Sequence, residues 1–355
     1  MKKTILAMAV PAMMAAGATQ AVELYNDGTN SFTVGGRINL KAESRKEADG
    51  ERRFAQDNQS SRINFQFKRQ LSDNVQARAT LEYAMRDPQK NVDTSFTNRL
   101  GFVALDHADF GSVTFGKQWS TYYEVAGATD VFWVYGGSAL GIYDNGGDAR
   151  GTARADEAIK YDLSLGNLDL SAMYQFSGDL EVVKDDYDNI LSSNGRDNSY
   201  AFAATYDFDF GLGFGAAFHR TNYENNVFMA PTPESMSTSD FDHQRQYVLN
   251  TNYTLGNLFA AYNFAETRNV TSEKAHGHEL AVTYDLPMGI QLIGGFNLIN
   301  DKTAGSDDSY SEYIFGGMYN WNSVLFYAEY AAIEDKSAGR KTNDNKGAVG
   351  VRYHF

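Results

Sequence analysis

The amino-acid sequence predicts an all-β protein, a sixteen-stranded antiparallel transmembrane β-barrel whose long third external loop folds into the lumen. Three observations carry the prediction. Apolar and polar residues alternate with period two along nearly the whole chain, sixteen such segments follow one another, and the connections between them are alternately short and long. Side chains on a strand point to opposite faces, so this alternation gives each segment one apolar and one polar face. Membrane barrels have an even strand number, tight turns at one end, longer loops at the other, and aromatic residues at both interfaces. A soluble β-sandwich also alternates, but it usually turns through Greek-key connections of mixed length.

Composition narrows the class further. The 355 residues include no Cys and 5 Pro, but 32 Gly, 23 Phe, 22 Tyr and 3 Trp. Zero Cys excludes a disulfide scaffold, thiolate metal sites and thiol nucleophiles. The 45 Asp and Glu against 31 Lys and Arg give a net charge of -14, which argues against nucleic acid as a partner, because phosphate binding needs clustered cations. Mean hydropathy is negative, and a spanning helix needs roughly 20 mostly apolar residues. One run approaches that length, at the start. Lys2 and Lys3 precede the apolar stretch Ile5 to Ala18, and Thr19 and Ala21 are small residues at the spacing a signal peptidase reads. The pattern predicts a secretory signal over residues 1–21, removed on export, and one barrel domain over residues 22–355. Removing the signal leaves 29 basic against 45 acidic residues.

The strand segments begin near residues 33, 60, 74, 95, 111, 154, 168, 198, 212, 243, 257, 276, 290, 309, 324 and 347. In Asn74 to Arg86, for example, Val75, Ala77, Ala79, Leu81, Tyr83 and Met85 alternate with Gln76, Arg78, Thr80, Glu82 and Arg86. Short turns fall at Ser72-Asp73, Asp106 to Phe110, Gly166-Asn167, Phe208 to Gly211, Gly256, Pro287 to Gly289 and Trp321 to Ser323. Longer polar loops fall near 43–59, 87–94, 119–153, 177–197, 221–242, 268–275, 299–308 and 334–346. Both termini then lie at the short-turn end.

A barrel of sixteen strands is too wide for side chains to fill and leaves an aqueous channel. The longest loop, 119–153, is the candidate for setting its bore. It carries Phe132, Trp133, Val134 and Tyr135, residues with no use in a wholly solvated loop but able to pack on the barrel wall.

Several stretches give the chain a family likeness. They are Val22 to Gly28, Thr97-Asn98-Arg99-Leu100-Gly101-Phe102, Ala108 to Gly116, the loop run Thr129 to Gly137, and Val349-Gly350-Val351-Arg352-Tyr353-His354-Phe355 at the end. In order and spacing they resemble the general diffusion porins of Gram-negative outer membranes. The resemblance implies a homotrimer in outer-membrane lipid and lipopolysaccharide, passing small hydrophilic solutes and ions through a passive, water-filled pore, with no cofactor. It also implies a ladder of basic wall residues facing acidic residues of the inward loop. The matching wall positions are Arg37, Arg62, Arg99 and Arg154, and the loop contributes Asp130, with Glu124 and Tyr135 nearby. Val134 stands where the family has a second acidic residue, so the transverse field should be weaker and the pore weakly selective. Alternation independently places Arg37 between outward Gly36 and Ile38, Arg62 before outward Ile63, and Arg99 before Leu100 and Phe102 taken as outward. Phe355 is the terminal aromatic that the resemblance assigns to outer-membrane insertion.

Other chemistry is not supported. There is no His-Glu-x-x-His, no Gly-x-Ser-x-Gly and no phosphate-binding Gly loop, so neither an enzyme nor a metal site is expected. Asp179, Glu181, Asp185, Asp186 and Asp188 read as a solvated acidic rim. The alternative reading is a sugar-specific channel, with Trp119, Tyr122, Tyr123, Trp133 and Tyr135 as an aromatic track; an outer-membrane barrel enzyme ranks below it.

Overall fold

A computed structural model describes residues 21–46, 50–85, 96–143, 147–179, 183–184, 190–192, 195–228 and 240–355. Sixteen strands form the wall: β1 Asn30–Lys46, β2 Arg62–Ser72, β3 Val75–Met85, β4 Phe96–His107, β5 Gly111–Trp119, β6 Ala158–Leu165, β7 Leu168–Gln175 and β8 Gly195–Asp207. There follow β9 Leu212–Phe228, β10 Asp240–Leu255, β11 Leu258–Arg268, β12 Lys274–Leu286, β13 Ile290–Asp301, β14 Ser309–Trp321, β15 Val324–Ser337 and β16 Arg340–His354. Each pairs antiparallel with the next, and β16 pairs back on β1 from Arg37↔His354 to Glu43↔Ala348, closing the barrel. Closure satisfies every strand edge, the condition for crossing hydrocarbon without a helix. Among the described residues no helix is long and apolar enough to cross a membrane.

The closing strand is composite. Along β1, Leu40 and Ile38 face Val351 and Tyr353, Gly36 exchanges both backbone hydrogen bonds with Phe355, and Val34 to Ser31 face Val22 to Asn26. The segment Val22–Asn26 therefore prolongs β16 beyond the chain end. A side chain at Gly36 would lie 2.5 Å from the Arg62 carbonyl oxygen and 2.7 Å from the Phe355 ring, so the terminal aromatic needs glycine beneath it.

Alternation sorts the two faces. Phe67, Leu81, Val103, Phe115, Phe202, Phe214, Leu249, Leu292, Phe315, Phe326 and Val351 are exposed on the outer face. Asn39, Glu82, Gln175, Gln246, Asn263, Glu279, Asn297, Glu329 and Arg352, of the opposite parity, are buried on the lumen side. The connection from β5 to β6 contains helices α1 (Thr121–Ala126) and α2 (Gly147–Arg150). Ser120 caps α1 by accepting from the Tyr123 N–H. Tyr122, Val125, Ala126, Leu140 and Ile142 of this connection pack with Ala153 and with lumen-side Ala203, Ala217, Val248 and Ala265. Burying each large apolar side chain stabilises by about 1.5–3 kcal/mol, and the small wall residues make the room. At Gly277 a side chain would meet the Ala139 carbonyl oxygen at 1.8 Å.

Several sequence expectations change. The expected loop 334–346 is strand: β15 and β16 continue past the barrel and join through Ala338-Gly339, both at positive φ. Its polar composition reflects two solvent-exposed faces rather than irregular backbone. Within the expected loop 43–59, Arg52–Asn58 folds back and pairs with Leu40–Lys46, and β9 and β10 reach into 221–242. Leu100 and Phe102 face the lumen, not the membrane: Leu100 pairs with Glu82, and Arg78 lies over the Phe102 ring at 5.4 Å. The register shifts between Asn98 and Leu100, leaving Arg99 as the extra residue of a β-bulge, and this bulge turns it inward. The signal residues 1–20, the loop 87–94 and the acidic positions Glu181, Asp185, Asp186 and Asp188 lie outside the described residues.

Candidate functional site

The lumen has two unlike walls. On β1 to β4 and β16, Arg37 and Arg62 stand directly opposite one another. The Arg62 guanidinium donates to Glu82 Oε1 at 3.0 Å and Arg99 Nε donates to the same oxygen at 2.8 Å. Arg37 Nε donates to the Ser60 carbonyl at 3.1 Å. Arg352, opposite Asn39 on β1, lies over the Trp133 ring at 4.4 Å. One carboxylate thus serves two of four guanidinium groups. Like charges on facing strands cost stability, so this arrangement is retained against a local penalty.

On β11 to β15 the charges are carboxylates, and they are occupied. Glu329 accepts three consecutive backbone N–H groups, from Trp133, Val134 and Tyr135, at 2.5, 2.8 and 3.1 Å. Glu279 accepts from the Thr129 hydroxyl and the Ala139 N–H, and Glu312 from Asn297. Asn263 donates to the Ala126 carbonyl and to Thr129 Oγ1. A carboxylate accepting several N–H groups binds peptide backbone strongly, so this wall holds the β5–β6 connection.

The connection's own acidic residues are partnered as well. Asp130 accepts from the Tyr123 and Tyr143 hydroxyls at 2.7 and 2.5 Å, and burial and that carboxylate push the Tyr143 hydroxyl well above its usual range. Glu124 takes the Lys160 ammonium at 2.5 Å, yet burial pushes its carboxyl up to about 7. Asp148 pairs with Arg154 at 3.1 Å and with Lys117 at 3.4 Å.

The structure therefore gathers Arg37, Arg62 and Arg99 on one wall; Arg154 pairs with Asp148 and lies within reach of the Arg99 charge. Val134 and Tyr135 bind Glu329 through backbone. Sequence reasoning missed Glu82, Glu279, Glu312, Glu329 and Arg352 as site residues. Parity held the signal for two of them: Glu82 lies on the polar face of its strand, and Arg352 sits between outward Val351 and Tyr353. Of the proposed aromatic track, Trp119, Tyr123, Trp133 and Tyr135 are partly buried. Tyr122 is fully buried, Trp119 stacks on Tyr123 at 4.1 Å, and Trp133 stacks on Tyr327 at 5.7 Å. Among the described residues no cluster of His, Asp or Glu could hold a metal.

Comparison with known proteins gives one consistent result. The family model described as Gram-negative porin matches residues 6–355. Outer membrane protein F of Serratia marcescens is 27% identical over 394 residues, and outer membrane porin N of Escherichia coli K12 is 26% identical over 397, each alignment covering 100% of both chains. The fold matches Salmonella typhi OmpF, solved in complex with daunomycin, at a TM-score of 0.73 and 20% identity, covering 94% of this chain and 100% of that one. It matches the trimer form of OmpT from Vibrio cholerae at 0.69 and 16%, covering 92% and 100%.

Proposed function

The chain belongs to the Gram-negative porin family, and from that premise we propose how its channel is narrowed and charged. Its activity is passive diffusion of small hydrophilic solutes and ions across the outer membrane. In our reading the β5–β6 connection narrows the lumen, held by Glu279, by Glu329 and by Glu312, which accepts from the Ser138 hydroxyl at 3.4 Å, while Arg37, Arg62, Arg99 and Arg352 line the opposite side of the opening. The observation that carries it is Glu329 accepting three successive N–H groups of 133–135. Four guanidinium groups around Glu82 cancel much of the cation preference expected of an acidic protein, since charged rings set ion preference at a constriction. Selectivity is then weak in high salt and drifts toward cations as the rim is unscreened at low salt, the screening length being about 8 Å at physiological ionic strength. No covalent chemistry is part of this reading.

The working unit we propose is a homotrimer in outer-membrane lipid, reached after removal of residues 1–21. The outer face of β1 and β2 supports it, where Phe32 stacks on Phe67 at 4.5 Å and lies 6.5 Å from Phe65. An undenatured species that runs and cross-links as a monomer would refute the trimer. Planar-bilayer reconstitution tests the channel: open, ohmic steps and a reversal potential near zero in a high-salt gradient are expected. Saturable block by one sugar would instead favour a substrate-specific channel.

A further inference from the structure

We propose that the arginine wall holds a doubly charged phosphate group at a discrete site on β16, β1 and β2, and that its occupancy tunes ion selection. The proposal rests on the reading of this wall as part of the permeation path. Register places the residues. Arg62 of β2 lies directly opposite Arg37 of β1, and Arg37 opposite His354 of β16. Two positions along the same faces, Asn39 lies opposite Arg352, and the Trp133 ring of the connection covers the Arg352 guanidinium. Directly opposed residues have Cβ atoms about 4.5–5.5 Å apart. Three strands and one loop residue therefore bring these groups together inside the pore.

What these groups lack is an acceptor. Arg62 Nε, Arg352 Nε, Asn39 Nδ2, Trp133 Nε1 and His354 Nε2 are buried with no hydrogen-bond partner. Asn39 is 0% exposed and Arg352 6%. The guanidinium, amide and indole nitrogens can only donate, and the imidazole nitrogen donates in one of its tautomers. Elsewhere on the inner face the unpartnered atoms of Gln246 and Asn297 are oxygens. Buried polar atoms are nearly always paired, so a group of donors with no acceptor marks the place of a ligand rich in acceptor oxygens. Water fits poorly, because its own protons would need acceptors there.

Charge gives the ligand its class. Glu82 is taken by Arg62 and Arg99. Arg37 donates to the carbonyl and hydroxyl of Ser60 instead, and the charges of Arg62, Arg352 and Arg99 all reach it. Glu329, whose charge reaches Arg352, is committed to three backbone N–H groups. Among the described residues neither Arg37 nor Arg352 makes an ion pair, so two guanidinium groups lack a counter-charge. A monocarboxylate brings one negative charge and two oxygens. Inorganic phosphate or a phosphate monoester brings two charges, and oxygens that match the guanidinium fork. The side chains of Arg62 and Arg99, 18% and 17% exposed, form the way in from water.

The test uses the full-length protein in planar bilayers under a potassium chloride gradient, with inorganic phosphate as probe. Phosphate is present equally on both sides, at constant ionic strength and at a pH where it is doubly charged. Bound phosphate offsets the arginine charge, so the reversal potential should move toward cations and saturate as phosphate is raised; acetate should not reproduce the shift. A channel that conducts in potassium chloride but ignores phosphate overturns this proposal and leaves the channel reading intact. In Arg352→Gln the phosphate needed for half the shift should rise about tenfold or more, as loss of a charge-assisted hydrogen bond implies. Lys341→Gln, on the external hairpin, should respond as the parent does. On the unaltered protein, phosphate should shield Arg37, Arg62 and Arg352 from phenylglyoxal, read by peptide mass spectrometry. An unsaturable shift, an equal shift with acetate, a parental response in Arg352→Gln, an equal loss in Lys341→Gln, or labelling indifferent to phosphate would overturn the proposal.

Discussion

The two walls of the lumen are built from the same alternating pattern but use their charges differently. On β11 to β15, Glu279 and Glu329 meet backbone N–H groups of the β5–β6 connection. On β1 to β4 and β16, four guanidinium groups have one carboxylate among them, Glu82, which pairs with Arg62 and Arg99, and of the four Arg352 touches the connection, through the Trp133 ring. A buried charge that satisfies backbone donors acts as scaffold. A charge left facing water acts on passing ions. Which role a polar residue on the inner face plays is decided by what lies opposite, not by its own strand.

Substitutions at four positions probe that contrast. The largest effect is expected from Glu329→Ala, which strips three N–H groups of their acceptor, each unsatisfied buried donor costing about 1–3 kcal/mol. Single-channel recordings should then show larger, noisier conductance, with new protease cleavage within 119–153, and Glu329→Gln should do less because one acceptor oxygen remains. If Glu329→Ala conducts as the parent does, the carboxylate wall is not what holds the connection.

On the opposite wall, Arg99→Ala removes a positive charge and half-frees Glu82, two changes of the same sign. Cation preference should rise several-fold in a dilute salt gradient without a change in noise. A noisier channel instead would assign Arg99 to scaffolding and erase the contrast.

Smaller still is a pH effect. The Glu124 carboxyl, pushed up to about 7 by burial, is ionised above that pH and neutral below it. Lowering the pH from about 8.5 to about 5.5 therefore removes a negative charge, leaves Lys160 paired with Asp162 alone, at 3.3 Å, and should reduce cation preference. Glu124→Gln should abolish the step in reversal potential; a step that persists in the variant belongs to another group.

The smallest shift is expected from Val134→Glu, which adds one carboxylate to a connection whose backbone there already serves Glu329. Cation preference should rise slightly, and no change would mean that position 134 does not face the ions.

Much of this was legible in the chain. Starts of strands such as Gly111, Leu168, Leu212, Ile290 and Val324 coincide with the first residue of their alternating segment, because one-sided burial writes itself into every second residue. Arg37 and Arg62 followed from the same parity. Arg99 did not: the bulge at 98–100 breaks the alternation, and the sequence carries no mark of it. The hairpin through Ala338-Gly339 was hidden because its strands leave the membrane, where both faces may be polar. The contact of Glu329 with 133–135 spans almost two hundred positions, and no local pattern encodes a partner so distant. The small wall residues Ala203, Ala217 and Ala265 did announce that something packs against them, and that signal went unread.

The central claim is that the connection from β5 to β6 lines the permeation path opposite the arginine wall. The chain has no Cys, so a single cysteine in Val134→Cys can be labelled without background. Its reaction with thiol reagents carrying positive or negative charge, read by single-channel conductance and reversal potential, is the most direct measurement. The account predicts that both labels reduce conductance, and that the positive label moves the reversal potential toward anions and the negative one toward cations. Complete labelling with conductance and reversal potential both unchanged would contradict it.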